Sequence, residues 1–323
     1  MDNNDVLHKK IAVLAGGWSD EREISLDSGR ACAQALTKAG FIKVDLLDVA
    51  ASGFIEGLLR GGYDVAFIAM HGRYGEDGCI QGMLEILHIP HTFSGVLASA
   101  MATEKEVAKT IYKAAGIPTP KGVSLTSGVE LTDDQIDNII ADLHLPLFVK
   151  PAANGSSYGV TRVTDPAQFR EAVRLAGREG DKVLVEESVI GVEITVPVIG
   201  NNHPQALPIV EIVTNSDFYD LKVKYEPSSL HHVTPARLEP AVYAKAQELA
   251  VTAHKALGCL GASRSDFIVR SDGTPIILET NTIPGMTERS LLPDSARHGG
   301  IEFPELCRKF VEYALEVPTE KNC

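Results

Sequence analysis

Positive charge is scarce in this chain. Thirty lysines and arginines stand against 43 aspartates and glutamates, for a formal net charge of -13. A non-specific nucleic-acid surface needs the opposite balance, so no nucleic-acid partner is expected. A local basic pocket for a phosphorylated ligand is still allowed. No apolar run reaches the roughly 18 residues of a membrane span, so no membrane partner is expected either. The opening MDNNDVLHKK is polar and lacks the apolar core of a signal peptide. Five cysteines (Cys32, Cys79, Cys259, Cys307, Cys323) are scattered, odd in number and without a CxxC pair. That excludes a zinc-ribbon pattern and suits a reduced, cytoplasmic setting. GxxxxGK[ST] is missing, and no GxGxxG follows the first apolar run, which excludes a P-loop and a standard dinucleotide fingerprint. There is no internal repeat or low-complexity segment.

What is present reads as α/β followed by α+β. KIAVLAGG is a buried strand ending in two glycines, and the helical period after it stops at Gly40. VDLLDV and DVAFIAM are further strands, so a parallel sheet covered on both faces is expected at 1–96. Loops after strand C-termini form the crevice of such sheets. Two of these loops are rich in polar groups: GGWSDERE at 16–23 and MHGRYGEDG at 70–78. A second section, 97–186, reads as a small unit in which strand LPLFVKP leads into glycine-rich ANGSSYG. A third, 187–323, is strand-rich, with a long polar loop at 213–235, a helix near 240–257 and a last helix near 303–316. A nucleotide fits between the latter two.

The segment IVRSDGTPIILETN holds the sharpest signal. Asp272-Gly273 is a two-residue turn signal. With so tight a turn, facing residues have numbers that sum to 545, and Asp266 lies opposite Glu279. Asn281 then shares their face. Two adjacent carboxylates repel unless a proton or cation lies between them. Hard oxygen donors favour Mg²⁺ or Mn²⁺ and, with it, a nucleoside triphosphate. The alternative is a pair of solvated acids bound to arginines, and a bulged turn would break the register. Lys150, at a strand end before Gly155 and Gly159, heads a loop whose backbone N–H groups suit an anion. GSSYG also matches the G-x-S-x-G hydrolase elbow, but a strand rather than a helix follows it, which argues against a nucleophilic Ser157.

Taken together, LAGGWSDEREISLDSG, MHGRYGEDG, LASAMATEK, VKPAANGSSYGV, LVEESVIGVEITV, FYDLKVKY and GCLGASRSDFIV…ILETNTIPGMTERSLLP resemble the ATP-grasp carboxylate–amine ligases, and within them the D-alanine–D-alanine ligases. The resemblance spans nearly the whole chain in family order. It implies an ATP-grasp fold behind a Rossmann-like N-terminal domain. It also implies ligation of two D-alanine molecules through an acylphosphate for peptidoglycan precursors, with ATP and two Mg²⁺ (or Mn²⁺) ions, in a homodimer. By the same resemblance Asp266, Glu279 and Asn281 hold metal, and Lys105, Lys150 and Lys224 contact phosphates. Ser156 and Ser157 belong to the flap over the nucleotide, Glu186 meets adenine and Glu193 the ribose. Arg264 and Gly285 stabilise the oxyanion. Glu21 meets the first ammonium and His71 lies near that substrate's carboxylate. Ser290 and Leu291 meet the second D-alanine, and Ser156 and Tyr225 join Glu21 in closing the lid. Tyrosine at 225 favours an amine acceptor over D-lactate. MATEK, Asn154, Leu221 and ESVIG depart from the common pattern without removing a proposed catalytic residue. The competing readings are a ligase for another acceptor (D-Ala–D-Ser or D-Ala–D-lactate) and a non-catalytic nucleotide-binding homologue.

Overall fold

A computed structural model describes residues 5–153, 159–214 and 230–317. Its first part runs β1 (Lys10–Ala15), α1 (Arg22–Lys38), β2 (Lys43–Asp48), α2 (Phe54–Gly61), β3 (Val65–Ile68) and α3 (Cys79–Ile86). The strands form a parallel sheet in the order β2-β1-β3. Ile11 through Ala15 are fully buried because the sheet is covered on both faces, which is why they read as a continuous apolar run.

Two short helices follow, α4 (Val96–Thr103) and α5 (Lys105–Ala114). Next come β4 (Gly122–Thr126), α6 (Asp133–Leu143), β5 (Leu147–Pro151), β6 (Thr161–Val163), α7 (Phe169–Ala176) and β7 (Lys182–Glu187). These strands make an antiparallel sheet ordered β4-β7-β5-β6. A capping box of Thr132 and Gln135 starts α6 by satisfying exposed N–H groups.

The remainder comprises β8 (Val192–Ile199), β9 (Gln205–Ala206), β10 (Val210–Thr214), β11 (Leu230–Val233), α8 (Pro240–Leu257), β12 (Ala262–Val269), β13 (Pro275–Asn281), α9 (Leu291–His298) and α10 (Phe303–Glu316). Its sheet runs β11-β10-β8-β12-β13, with β9 also on β8. The expected polar loop at 213–235 thus gives up both ends to strands. Pro240 opens α8, and Gly258, at a left-handed φ of 72°, closes it.

The β12–β13 hairpin corrects one expectation. Its turn is not the two-residue one. Val269 faces Pro275, and Gly273, at φ 83°, donates to the Arg270 carbonyl, so three residues (271–273) make the loop. Facing numbers near the turn therefore sum to 544, not 545. Carried onward, that register would set Glu279 against Ser265, on the buried face. A β-bulge intervenes: Phe267 faces Ile277, yet Asp266 faces Glu279, with Leu278 left between. The two offsets cancel, and the pairings Asp266–Glu279 and Arg264–Asn281 stand as the sequence suggested.

The last helix, α10, packs against α1 and the first sheet as well as against its sequence neighbour α9. Leu306, Cys307, Phe310 and Val311 are fully buried in one core with β1 and β3, and the Phe310 ring lies 5.1 Å from Phe93. Replacing Phe310 by alanine is expected to cost roughly 3–5 kcal/mol, the usual loss for a large buried aromatic. Urea denaturation of the variant should show this as a lower midpoint in the transition of the N-terminal core.

Candidate active site

The crevice at the C-terminal edge of the first sheet is built by polar ties between its two loops. Ser25 at the start of α1 accepts from the Gly16 amide (2.8 Å) and donates to the Ala69 carbonyl (2.7 Å). Ser19 donates to the His71 carbonyl (2.7 Å), and the Trp18 and Tyr74 rings meet edge-on at 6.2 Å. Glu21 is the N-cap residue of α1. Gly72 has φ 70°, a left-handed conformation that favours glycine, and a Cβ there would come within 2.8 Å of Glu21 Oε2 and push that side chain aside. His71 is buried, with Nε2 3.0 Å from Ser28 Oγ and Nδ1 3.4 Å from Glu76 Oε1. The structure therefore gathers Glu21 and His71 on adjoining loops.

The hairpin gathers the second group. Arg264 and Asp266 alternate outward on β12, with Asn281 and Glu279 opposite them. Across the other edge, Asp266 faces Thr195 and Ile268 faces Glu193 on β8. Arg264 grips Asp266 with two hydrogen bonds (3.1 and 2.9 Å), and Thr195 donates to the same carboxylate at 2.5 Å. Lys105 Nζ lies 3.3 Å from Glu279 Oε2. Asn281 Oδ1 accepts from the Ile283 amide (2.9 Å). Burial, followed by the charges of Asp266 and Glu279, pushes Glu193 up to about 7 despite Arg264. Among the described residues no group of three or more His, Cys, Asp or Glu side chains is gathered for a metal. The hairpin instead offers two carboxylates and an amide, a hard-oxygen set that fits Mg²⁺ or Mn²⁺.

The third group lies between the two antiparallel sheets. Glu186 on β7 is buried and flanked by Lys109 (Nζ to Oε1, 2.6 Å) and Lys150 (Nζ to Oε2, 2.6 Å). Burial presses Lys109 down to about 8 against the pull of Glu186. For Lys150 burial acts the same way, but Glu186 outweighs it and the net shift is upward. Burial opposes the charge on Glu186 too, and the two lysines still hold it below the usual carboxylate range. Gly285 and Ser290 adjoin one another on the loop after β13. A Cβ on Gly285 would meet Ser290 Oγ at 3.1 Å, and Ser290 is the N-cap residue of α9, which Leu291 begins. Ser156, Ser157, Lys224 and Tyr225, with the departures Asn154 and Leu221, lie outside the described residues.

Comparison with known proteins bears on the whole chain. A family model for the D-ala D-ala ligase C-terminus matches residues 111–312, and one for the N-terminus matches 54–94. The chain belongs to the D-alanine–D-alanine ligase family. It is 45% identical over 311 residues to the D-alanine–D-alanine ligase of Desulforamulus reducens, covering 95% of this chain and 99% of that protein. It is 46% identical over 312 residues to that of Xanthobacter autotrophicus, covering 95% and 98%. The crystal structure of the Bacillus anthracis D-alanine–D-alanine ligase complexed with ATP superposes with a TM-score of 0.83 at 31% identity, covering 97% of this chain and all of that one. The fold is therefore the ATP-grasp fold of this ligase family.

Three site residues escape a reading of the sequence. Lys109 lies one helical turn from Lys105, and that i, i+4 spacing was the available signal. Thr195, two residues after Glu193 on a strand, had the same kind of signal. Asp48 had none, because its partner is distant in sequence. It receives two hydrogen bonds from Arg22 (2.9 and 2.5 Å) and one from the Ala50 amide (3.0 Å). Arg22 also donates to the Gly17 carbonyl (2.9 Å), so the pair holds down the loop that presents Glu21 in this ligase-family chain. The Arg22 hydrogen bonds hold Asp48 down to about 2 from 3.8. Its folded pKa is depressed, so its stabilisation is complete above 3.8 and fades as pH falls toward about 2. The stability gap between wild type and Asp48→Asn, followed by acid and urea titration, should be constant above pH ~5 and shrink below it.

Proposed function

We propose that this chain is a D-alanine–D-alanine ligase, joining two D-alanines at the expense of ATP for peptidoglycan precursors. One observation carries the chemistry: Asp266 opposite Glu279, beside Arg264 opposite Asn281, on one face of the central sheet and within ion-pair reach of Lys105. A non-catalytic nucleotide-binding homologue has no use for the guanidinium in that set. Relatives matching along 95% of the chain support the same reading.

Asp266, Glu279 and Asn281 would hold two magnesium (or manganese) ions, whose chemistry is to neutralise phosphate charge during transfer. Lys105 and Lys150 would contact nucleotide phosphates, Glu186 the adenine and Glu193 the ribose. Lys224, Ser156 and Ser157 join them by resemblance. A carboxylate is a poor electrophile, so the first D-alanine must be activated as an acylphosphate. The amine of the second then attacks and phosphate leaves. Arg264 and the Gly285 amide stabilise the oxyanion of that step, as preorganised donors do when negative charge develops. Glu21 pairs with the first ammonium. The buried His71, oriented by Ser28 and Glu76, lies toward that substrate's carboxylate. Ser290 and Leu291 receive the second D-alanine. Tyr225 and Ser156 close over them with Glu21, since an acylphosphate must be kept from water.

We further assign the reaction to the cytoplasm, where ATP is supplied. A homodimer through the N-terminal domain is supported by an apolar groove of 810 Å³ there, with Trp18, Ile55 and Leu59 exposed on it.

Purified protein given ATP, Mg²⁺ and D-alanine should release phosphate and form D-Ala-D-Ala, identified by mass spectrometry, with D-serine and D-lactate as competing acceptors. Asp266→Ala should abolish both products. Arg264→Ala should lower kcat by roughly 100- to 1000-fold, the usual cost of a lost oxyanion donor. Phosphate release with a different acid, and none with D-alanine, would retain the fold's chemistry and discard this substrate.

A further inference from the structure

Glu186 has one more lysine than its charge requires. Lys109 and Lys150 each lie 2.6 Å from one of its oxygens, and the carboxylate is 2% exposed. One carboxylate offsets one ammonium, so a net positive charge remains around Glu186. The two lysines are anchored differently. Lys109 lies within α5, 5% exposed, and its Nζ also donates to the Leu278 carbonyl (3.4 Å), at the bulge of the hairpin. Lys150 lies near the end of β5, and its side chain is the more open of the two, at 14% against 7%.

We propose that Lys109 is a positioning residue for nucleotide binding: it keeps Glu186 in place and charge-compensated, which frees Lys150 to leave that carboxylate for a phosphate oxygen. The inference rests on the reading above, in which Lys150 meets a nucleotide phosphate. Without Lys109, Lys150 is the sole counter-ion of a buried carboxylate, and withdrawing it strands that charge. Phosphate would then have to compete with Glu186 for Lys150.

The test is calorimetric binding of magnesium–ATP to wild type, Lys109→Met, Glu186→Gln and the double variant, with KM measured for ATP and for D-alanine. Lys109→Met should weaken ATP binding at least about tenfold, as breaking one arm of a buried charge network does. KM for D-alanine should stay within about twofold, because its site is remote from this network. In the Glu186→Gln background the same substitution should cost less than about threefold, since no buried charge is left to compensate. Lys109→Arg should restore most of the affinity. Lys109→Gln serves for the same comparison should the methionine variant not fold. Wild-type ATP affinity in Lys109→Met, or an equal loss in both backgrounds, overturns the inference. A wild-type protein that binds no ATP overturns the nucleotide reading instead.

Discussion

Asp266 and Glu279 stand directly across from one another on adjacent strands, half-buried, and carboxylates so placed repel each other. Much of the surrounding structure answers that repulsion. Arg264 takes both oxygens of Asp266, Thr195 adds a hydroxyl, and Lys105 reaches Glu279. Glu193 on the neighbouring strand is pushed up as well, first by burial and then by these two carboxylates. Two carboxylates facing one another beside the Asn281 amide form a set of hard oxygen donors of the kind that small hard cations take. The same cations make a triphosphate tolerable on an acidic surface, which reconciles a chain of net charge -13 with an anionic substrate.

Helix α5 transmits this arrangement to the rest of the cleft. Lys105, Lys109 and Tyr112 follow one another along a single face. They reach Glu279, the Leu278 carbonyl and Thr280 in turn, so the helix is fastened to β13 almost residue by residue. Its first amide donates to the Ala152 carbonyl just past β5, and Lys109 also meets Glu186 on β7. One helix therefore touches both antiparallel sheets at the place where the nucleotide is proposed to lie. Burying two lysines on such a helix is costly unless each finds a carboxylate, and here each does.

How far the sequence could be read depended on the range of the interaction. Strand runs such as Ile11–Ala15 and the alternation around Asp266 are local and were legible. So was the pairing of Asp266 with Glu279, although it rests on two opposite offsets that the sequence does not display: a three-residue turn and a bulge at Leu278. Asp272-Gly273 announces a turn but not its length, because glycine at φ 83° serves either kind. The Arg22–Asp48 clamp and the return of α10 to the first sheet join residues far apart in the chain. Nothing near either partner marks them. Lys109 is intermediate. Its spacing from Lys105 was visible, but its partner Glu186 lies on a strand 77 positions along the chain.

The packing divides the proposed reaction between cores. Ile283, Met286 and Leu292 belong to the same buried cluster as β1, β3 and α10, whereas Phe267, Val269 and Ile277 of the hairpin belong to the cluster under α8. Cys32 of α1 reaches the Met286 carbonyl (3.6 Å), which ties the loop after β13 to the helix that Glu21 begins. The segment from Glu279 to Leu291 thus leaves one core carrying the proposed metal side chains and enters the other carrying Gly285 and Ser290. Activating a carboxylate and attacking it require the phosphoryl donor, the acid and the amine to be aligned closely. A link this short, with Ile283 buried only four positions after Glu279, sets how far apart the two halves can stand. Register in the hairpin and substrate geometry in the N-terminal crevice are therefore coupled through a few covalent bonds, not through a flexible linker.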